Sequence, residues 1–402
     1  MQDLPNFDLL DLESERVCSV TLSTLNVHCC LCCGKYFQGR ARDTPAFNHS
    51  IAQDHHLFLN LETGTVYSLP ENNQVHSEAF TVLSQIVNPQ FDLPFDGEGT
   101  GHLSNRIWGI KQVGNSEYIS VVLQLLVSIV PLRNVFLVSH FDAQASGKLG
   151  LVGGFGRLVK RMWNPYAFGV GKRAVNPIQM LNAISQASNA RFGVLEGREP
   201  LEFLQWFIHA LSTTAECTSI LKSCLQGMLS SESAKAKEQP FYVLSLQLPN
   251  EPVLAPTEKE RGMVHQVNMQ LLIHKWLQEK HWKVQRAPKY LLVHFPRKQH
   301  SQWTEEKRMN RCIVNFSACQ NALQVGNCNY SLVGNVFQTN VDAKCRYRVH
   351  ILDEKEKQWM LIDHSVVCAV ASQSLFLQEA VLQLWRRNEL EEVEEKEDAT
   401  SM

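Results

Sequence analysis

The amino-acid sequence predicts an α+β protein in which a small zinc-bound α/β finger domain precedes a larger domain. Cysteine and histidine residues concentrate near the N-terminus, and after them helical patterns come first and strand-like runs come later. The length of 402 residues suits two domains better than one. We therefore expect the finger at residues 15–100, the larger domain at 101–388 and an acidic tail at 389–402.

Composition and charge exclude several classes of protein. Apolar residues make up 44% of the chain, which is enough for a packed core and excludes disorder over most of the length. With 38 Lys and Arg against 40 Asp and Glu, the formal charge of −2 excludes a strongly basic nucleic-acid coat. Seven acidic residues between Glu389 and Asp398 indicate that the tail is solvated.

The twelve cysteines are expected to be reduced thiols and not a disulfide framework. The first fifteen residues contain five carboxylates and no apolar run of the kind found in a secretory signal. The longest apolar run, Tyr118–Leu132, is too short to cross a bilayer and indicates a buried helix. We expect a soluble intracellular protein with no membrane segment, in which clustered Cys and His bind metal.

Two cysteines and two histidines near the N-terminus have the spacing of a zinc site. Cys30 and Cys33 are separated by two residues, and fifteen residues later come His49 and His55. A two-residue spacer lets both thiolates of a turn reach one ion. Four such ligands close a tetrahedral site and leave no open position for water, so we expect one zinc ion in a structural role.

Spacing alone leaves the choice of ligands open. Cys29 and Cys32 form a second pair with the same spacer, and His56 adjoins His55. A DNA-reading zinc finger is a competing interpretation. It is disfavoured because the gap between the Cys and His pairs exceeds the usual twelve residues, there is one such unit, and the surrounding charge is not basic.

Periodicity predicts the main elements of both domains. Leu57–Leu69 alternates around a Glu-Thr-Gly turn and predicts a hairpin. In the larger domain, Tyr118–Val130 and Pro200–Leu211 predict helices, the second opened by its proline. Strands are predicted later in the chain, at Phe241–Leu248, Tyr290–Phe295, Tyr330–Phe337, Tyr347–Leu352 and Gln358–Asp363.

The N-terminal region resembles the ubiquitin-protease-type zinc finger. The resemblance is carried by CSVTLSTLNVHCCLCCGKYFQGR and HLFLNLETGTVYSLP, and it selects Cys30, Cys33, His49 and His55 as the ligands. Members of that family often hold the free C-terminal tail of ubiquitin with an Arg just after the Cys-Gly. This chain has Lys35 there, which lacks the guanidinium fork, so a structural or partner-docking role is expected before tail binding.

Most of the remaining chain resembles the ubiquitin-specific proteases, which implies a papain-like fold with a helical thumb and an antiparallel-sheet palm and fingers. GIKQVGNSEY matches the family's Gly-Leu-x-Asn-Leu-Gly-Asn-Thr-Cys-Tyr box. Glu117 stands in place of the nucleophilic Cys, and Gln112 in place of the oxyanion-stabilising Asn. Cys-Arg-Tyr occupies the place of Gly-His-Tyr, so Arg346 stands at the base position, while Asp363 matches the third triad member.

These replacements predict that the protein is not an enzyme. The family's reaction needs a thiolate and a His that keeps it deprotonated and later protonates the leaving amine. A carboxylate at Glu117 is a poor nucleophile toward an amide, and the guanidinium of Arg346 cannot accept a proton. We hypothesise instead that Glu117 and Arg346 form an ion pair across the former catalytic cleft, with the carboxylate near the positive end of its helix.

Joining this finger to a protease domain without its nucleophile resembles the Sad1-type inactive ubiquitin-specific proteases, most specifically in CCLCCGKYFQGR, PAFNHS and HHLFLNL. The resemblance implies a nuclear, non-catalytic pre-mRNA splicing factor that scaffolds proteins of the U4/U6.U5 tri-snRNP and the spliceosome. Contacts with snRNA through basic stretches such as Arg297–Arg311 are a further expectation, although its mixed charges fit a solvated loop equally well. The alternative class is a receptor for ubiquitin or a ubiquitin-like protein without protease activity.

Overall fold

The computed structural model describes thirteen segments of the chain. They are residues 16–87, 89, 91, 107–139, 141, 147–164, 174–231, 238–249, 265–279, 281–300, 307–316, 323–341 and 344–388. The predicted acidic tail and the predicted boundary at residues 100 and 101 lie outside them. The described residues belong to two compact units, one drawn from Met1–Leu221 and Asn340–Val370 and the other from Lys222–Thr339 and Ala371–Met402.

The N-terminal part of the first unit is a small antiparallel sheet with two helices. The elements are β1 Val27–Cys30, β2 Tyr36–Gln38, α1 Pro45–Gln53, β3 Leu57–Asn60, β4 Val66–Ser68, β5 Asn73–Gln74 and α2 Glu78–Val87. The strands pair in the order β2-β1-β3-β4-β5, and the hairpin predicted at Leu57–Leu69 is confirmed as β3 and β4.

Strand alternation gives this sheet two apolar faces. Cys29 and Leu59 pack with Leu83 of α2 on one face, and Cys30 and Phe58 pack on the other, beside α1. Helix α1 begins at a proline, which the first helical turn tolerates because its N–H would have no partner there. It ends where Asp54 adopts a left-handed conformation with φ 55°.

Helices dominate the middle of the first unit. The elements are β6 Gly109–Ile110, α3 Glu117–Val127, α4 Val130–Val138, α5 Gly147–Trp163, β7 Ala174–Val175, α6 Ile178–Ala187, α7 Pro200–Leu211 and α8 Ala215–Leu225. Helix α3 lies at the centre, because all of its residues from Tyr118 to Val127 are buried. The helix predicted at Pro200–Leu211 is confirmed as α7.

The helix predicted at Tyr118–Val130 is shorter than expected. It ends at Val127, and α4 begins at Val130 with Pro131 in its first turn. Because proline has no N–H to donate to the preceding turn, one helix cannot continue through this position. The two helix axes are bent by 91° at the break.

The described helices include no single one with the length and hydropathy of a membrane span; α3 and α4 reach that length and composition only as a bent pair.

Strands dominate the second unit. The elements are β8 Gly227–Ser231, β9 Glu238–Phe241, β10 Val243–Ser245, β11 Gln266–Asn268, α9 Met269–Glu279, β12 Trp282–Arg286, β13 Tyr290–His294, β14 Lys298–His300, β15 Lys307–Met309, β16 Ile313–Asn315, β17 Leu323–Val325, β18 Cys328–Val341, a 3-10 helix at Ser372–Leu377 and, last, β22 Glu379–Arg387. Central strand β13 is buried at every position, as its continuous apolar run predicts. It pairs antiparallel with β22, which pairs antiparallel with β18, whereas β10 lies parallel to β13.

Three antiparallel strands return the chain to the first unit. They are β19 Lys344–Asp353, β20 Gln358–Asp363 and β21 Val366–Val370, paired in that order. Strand β19 packs against α3. The late strands predicted from the sequence are thus present, although the run predicted at Phe241–Leu248 contains a strand only at Val243–Ser245 and the end of another at Phe241.

Candidate functional site

Four side chains of the finger converge on one point. Cys30 ends β1, and Cys33 lies in the turn that follows, where Gly34 adopts φ +73° and its N–H donates to the carbonyl of Cys30 at 2.8 Å. His49 lies in α1, and His55 follows that helix. Their ligand atoms all lie within 4.8 Å of one another.

The distances between these atoms fit a tetrahedral zinc ion. Cys30 Sγ lies 3.6 Å from His55 Nδ1, Cys33 Sγ lies 3.5 Å from His49 Nε2, and His49 Nε2 lies 3.2 Å from His55 Nδ1. Zinc about 2.3 Å from sulfur and about 2.0 Å from nitrogen would require S···N separations of about 3.5 Å and an N···N separation of about 3.3 Å. The donor set therefore fits zinc in both chemistry and geometry.

Two residues of the alternative ligand set, Cys29 and His56, lie elsewhere or bind other groups. Cys29 is fully buried on the opposite face of the sheet, where burial and the neighbouring thiols raise the pKa of its own thiol. His56 Nδ1 donates to the carbonyl of Leu69 at 2.7 Å, and its Nε2 lies 3.0 Å from Asp54 Oδ1. Among the described residues, Cys30, Cys33, His49 and His55 form the one cluster of three or more such ligands that could hold a metal ion.

The protease-like positions meet at the start of α3. Glu117 is the first residue of that helix, Gln112 lies in the loop before it, and Arg346 lies on β19. Asp363 is the last residue of β20. Since β19 packs against α3 and pairs with β20, the fold places all four positions in one region of the first unit.

The carboxylate of Glu117 is held by Gln112. The side-chain amide of Gln112 donates to Glu117 Oε1 at 2.8 Å and to the carbonyl of Gly114 at 2.9 Å. The hypothesis of an ion pair between Glu117 and Arg346 is not supported, because the described residues form no such pair. The side-chain amide of Gln112 holds the carboxylate at the start of the helix instead.

Asp363 forms its ion pair with Arg348 and not with Arg346, the residue that the resemblance puts at the base position. Arg348 Nη2 lies 2.9 Å from Asp363 Oδ2, and His364 Nε2 lies 3.3 Å from Asp363 Oδ1. Sequence reasoning missed both partners. The alternation of β19 could have indicated Arg348, because it lies two residues after Arg346 and therefore on the same face of the strand.

His364 is the imidazole that the sequence interpretation did not include. It lies in the turn between β20 and β21 with φ 55°, and it lines a small cleft together with Glu117 and Tyr347. Burial, assisted by the charges of Arg346 and Arg348, lowers its pKa, while Asp363 and Glu117 act in the opposite direction. The net direction favours a neutral ring.

Gly109, in the segment that leads to the start of α3, lies close against this turn. A Cβ on Gly109 would collide with the backbone carbonyl of His364, so only glycine permits the approach. In the first turn of α3, Tyr118 Oη lies 3.0 Å from the carbonyl oxygen of Gly193 and 3.1 Å from its nitrogen.

The cleft lining includes no cysteine. Its described lining consists of Ile110, Glu117, Ser120, Val121, Gln124, Tyr347, Val349, Ile362 and His364. Burial raises the pKa of Tyr347, and Cys345 and the carboxylates of Glu199 and Glu117 raise it further, so its phenol stays protonated at neutral pH. The described groups provide an imidazole but no thiol to pair with it.

The basic stretch Arg297–Arg311 is partly internal. Arg297 is buried, and Arg311 forms an ion pair with Glu379 at 3.0 Å. The guanidinium of Arg297 donates to the backbone carbonyls of Ala380, Asn310 and Cys312. These two arginines therefore serve the fold, and residues 301–306 of the stretch lie outside the described segments.

Comparison with known proteins identifies the family. Residues 108–396 match the family model described as ubiquitin carboxyl-terminal hydrolase, and residues 18–80 match the model described as Zn-finger in ubiquitin-hydrolases and other protein. The chain belongs to the ubiquitin carboxyl-terminal hydrolase family and carries the N-terminal zinc-finger domain in addition. The α+β fold expected from the sequence is confirmed.

Two of the individual relatives are splicing proteins by name. The chain is 28% identical over 454 residues to "Probable mRNA-splicing protein ubp10" of Schizosaccharomyces pombe, with 96% of this chain and 88% of that protein covered. It is 29% identical over 425 residues to "Pre-mRNA-splicing factor SAD1" of Saccharomyces cerevisiae, with 94% and 91% covered. The resemblance to Sad1-type members is thus confirmed.

Two solved structures share the fold of this chain, and one of them is of a splicing factor. The structure titled "Crystal structure of an essential yeast splicing factor" matches with a TM-score of 0.79 and 29% identity, covering 96% of this chain and 98% of that one. The ubiquitin-aldehyde-bound SAGA Ubp8/Sgf11/Sus1/Sgf73 DUB module matches with a TM-score of 0.52 and 14% identity, covering 94% and 91%. The second match shows a shared fold alone.

Proposed function

We propose that this protein is a non-catalytic pre-mRNA splicing factor that acts in the nucleus, where it holds proteins of the U4/U6.U5 tri-snRNP together through protein contacts. The proposal is supported by the splicing relatives, which match over nearly the whole chain. The single observation that supports the non-catalytic part is the side chain of Glu117, which stands where the sequence resemblance puts the nucleophile and accepts a hydrogen bond from Gln112 at 2.8 Å.

Each step of amide cleavage lacks its group at the positions that the resemblance assigns to it. Glu117 offers a hydrogen-bonded carboxylate in place of a thiolate, and Arg346 offers a permanent cation in place of a base. The carboxylate of Asp363, which in a triad would orient the base, is bonded to Arg348. In related triads the loss of nucleophile and base removes a rate enhancement of about 10⁶-fold, so we expect no measurable protease activity.

We further propose that Cys30, Cys33, His49 and His55 hold one zinc ion. The fit of their separations to tetrahedral geometry supports this assignment. Four protein ligands leave no position for a reacting water, so the ion would stabilise the finger, whose small core gives it limited stability of its own.

Purification from nuclear extract tests the proposed function. The full chain, tagged and expressed at its natural level, should recover the tri-snRNP proteins together with U4, U5 and U6 RNAs. The same preparation should leave a fluorogenic ubiquitin C-terminal reporter uncleaved, while an active family member cleaves it in parallel. Recovery of none of these RNAs, or cleavage of the reporter by the wild-type chain, would contradict the proposal.

Titration with ubiquitin separates the scaffold from the receptor alternative. Because Lys35 cannot form the bidentate contact of an arginine, we expect no saturable binding by the wild-type chain. Lys35→Arg is the matched variant, since it changes only the donor geometry at that position. Saturable binding of wild-type protein at micromolar ubiquitin would favour the receptor.

A further inference from the structure

The helical part of the first unit carries a strong excess of positive charge. Between Tyr118 and Leu195 the sequence contains eight Lys and Arg but one acidic residue, Asp142, although the formal charge of the whole chain is −2. The eight cations are Arg133, Lys148, Arg157, Lys160, Arg161, Lys172, Arg173 and Arg191. Charge is therefore separated along the chain, and this stretch would attract an anionic partner.

Three of these cations lie together on α5. Every residue of that helix from Gly150 to Met162 is buried except Arg157, Lys160 and Arg161, which are partly exposed. Their spacing of three and four residues places them next to one another on the helix surface. Protein encloses the rest of this stretch, so these three side chains are the part of it that a ligand can reach.

A fourth cation joins them from the finger. The guanidinium of Arg16 donates to two backbone carbonyls of the finger, and burial together with the charges of Arg161 and Arg157 lowers its pKa to about 10. The carboxylate of Glu62 acts on Arg16 as well, but more weakly than either arginine. Arg16 remains charged at neutral pH, so three guanidiniums repel one another here, and a bound anion would relieve that repulsion.

The dipole of α5 accounts for part of this cluster. Cations are favoured in the last turn of a helix, which explains Lys160 and Arg161. Arg157 lies a turn earlier, where the dipole has little effect, and Arg16 belongs to a different element. We call Arg16, Arg157, Lys160 and Arg161 the basic face.

An aromatic ring lies beside the basic face. Trp163 ends α5, three residues after Lys160, and is partly exposed. The guanidinium carbon of Arg133 lies 5.1 Å from the centroid of its ring. Surfaces that bind single-stranded nucleic acid combine cations along the phosphates with aromatic rings beside the bases. Arginine, the commonest cation here, also donates two parallel hydrogen bonds to one phosphate.

We infer that the basic face binds single-stranded RNA through its backbone phosphates, with Trp163 beside the bases. The recognition of phosphates rests on the charges of the face, whereas the choice of RNA over DNA rests on the proposed function in splicing. The RNA contact that the sequence suggested at Arg297–Arg311 is thereby assigned to a different surface.

An acidic protein segment fits the basic face less well. Its carboxylates would pair with the cations but would leave Trp163 without a base to stack on. Protein interfaces also bury apolar side chains at their centre, and no apolar side chain of α5 is exposed between Gly150 and Met162.

Fluorescence anisotropy with the full chain tests this inference. The probe is a labelled fifteen-nucleotide oligouridylate, titrated at salt concentrations from about 50 to 200 mM. With about four phosphates contacted, the logarithm of the association constant should fall against the logarithm of the salt concentration with a slope of about −3. Lys160→Gln and Arg161→Gln each remove one contact, so each should reduce that slope by about 0.7 and weaken binding about fivefold near 0.1 M salt.

Lys148→Gln is the matched control. Lys148 is exposed on the same helix, about 18 Å before Lys160, and its substitution removes the same charge. The control should keep the wild-type slope, and so should Arg161→Lys, which retains a cation. The absence of saturable binding at about 50 mM salt, or equal weakening by Lys148→Gln, would overturn the inference. Unchanged thermal unfolding verifies that each variant is folded.

Two further probes separate the other possible ligands. A peptide with the sequence of residues 389–398 presents the seven acidic residues of this chain's own tail, and a fifteen-nucleotide oligothymidylate presents phosphates without the 2′-hydroxyl group. We expect the peptide to bind more weakly than the RNA, and the DNA to bind no more tightly than the RNA. Tighter binding of the peptide would assign the face to an acidic protein segment, and tighter binding of the DNA would exclude RNA as the preferred ligand; either result would overturn the inference.

The titration uses purified protein and naked RNA, so its result is separate from that of the nuclear-extract experiment. Loss of RNA binding with recovery of the tri-snRNP would overturn this inference and leave the proposed function standing. Phosphate binding without recovery of the tri-snRNP would do the reverse, because the salt dependence and the variants report on the basic face alone.

Discussion

Arg348 and Asp363 form a direct ion pair, with Nη2 of Arg348 2.9 Å from Oδ2 of Asp363. The carboxylate that the sequence resemblance matches to the third triad member is therefore held by a guanidinium two residues beyond Arg346. Because side chains alternate along β19, Arg346 and Arg348 share one face of the strand. Two guanidiniums therefore lie on the face of β19 opposite to Tyr347 and Val349, which line the cleft.

A double-mutant cycle should detect this pair. We expect Arg348→Ala and Asp363→Ala to show a coupling energy of about 1 kcal/mol in urea unfolding, because both side chains are about 30% exposed and solvent screens the pair in part. The cycle of Glu117→Ala and Arg346→Ala should show coupling close to zero. Strong coupling in the second cycle would instead restore the ion pair that the sequence suggested.

Glu117→Cys alone should not cleave a ubiquitin C-terminal reporter. The substitution supplies a thiol, but Arg346 still cannot accept its proton, and Asp363 remains bonded to Arg348. Glu117→Cys combined with Arg346→His is the comparison in which nucleophile and base are both present. If the single variant were active and Glu117→Cys with His364→Ala were not, His364 would be the base and the expectation would be wrong.

Metal content should follow the cluster seen in the finger. Cys30→Ser removes one of the four converging ligand atoms, so the purified variant should lose the zinc, about one ion per chain, that the wild type retains. Cys32→Ser is the matched control and should keep its zinc. Elemental analysis after dialysis provides the measurement, and loss from the Cys32 variant with retention by the Cys30 variant would reverse the ligand assignment.

Stability should fall in mild acid because of His350. This residue is 2% exposed, and burial lowers its pKa from 6.5 to about 4. Between these values the unfolded state binds more protons than the folded state, so stability that is complete above pH 6.5 is lost as the pH falls toward 4. Urea unfolding should show a loss of about 2 kcal/mol from this group between pH 7 and pH 5.

His350→Gln provides the control for that pH dependence, because glutamine does not titrate. The variant should lose about 2 kcal/mol less than the wild type over the same interval, whatever the other histidines contribute. The same change in stability for both proteins would show that His350 is not the group responsible.

Local patterns predicted much of the fold because helices and hairpins depend on interactions between residues close in sequence. The hairpin at Leu57–Leu69 and helix α7 at Pro200–Leu211 both follow from periodicity and turn chemistry within a few residues. The end of α3 at Val127 could also have been predicted from the sequence, since Pro131 has no N–H to donate to the carbonyl of Val127. The position of β21 at the end of the strand order could not be predicted, because it depends on how strands far apart in sequence pair.

The sequence by itself determined which chemical groups are present: a carboxylate at 117, a guanidinium at 346, and two thiols with two imidazoles spaced for one metal ion. Only the tertiary structure decided which groups meet. Asp363 bonds to Arg348 because of the pairing of β19 with β20, and His364 reaches the cleft because a left-handed turn redirects it. Strand register and turn handedness arise from packing across the whole sheet, so they are not encoded in the spacing of any single motif.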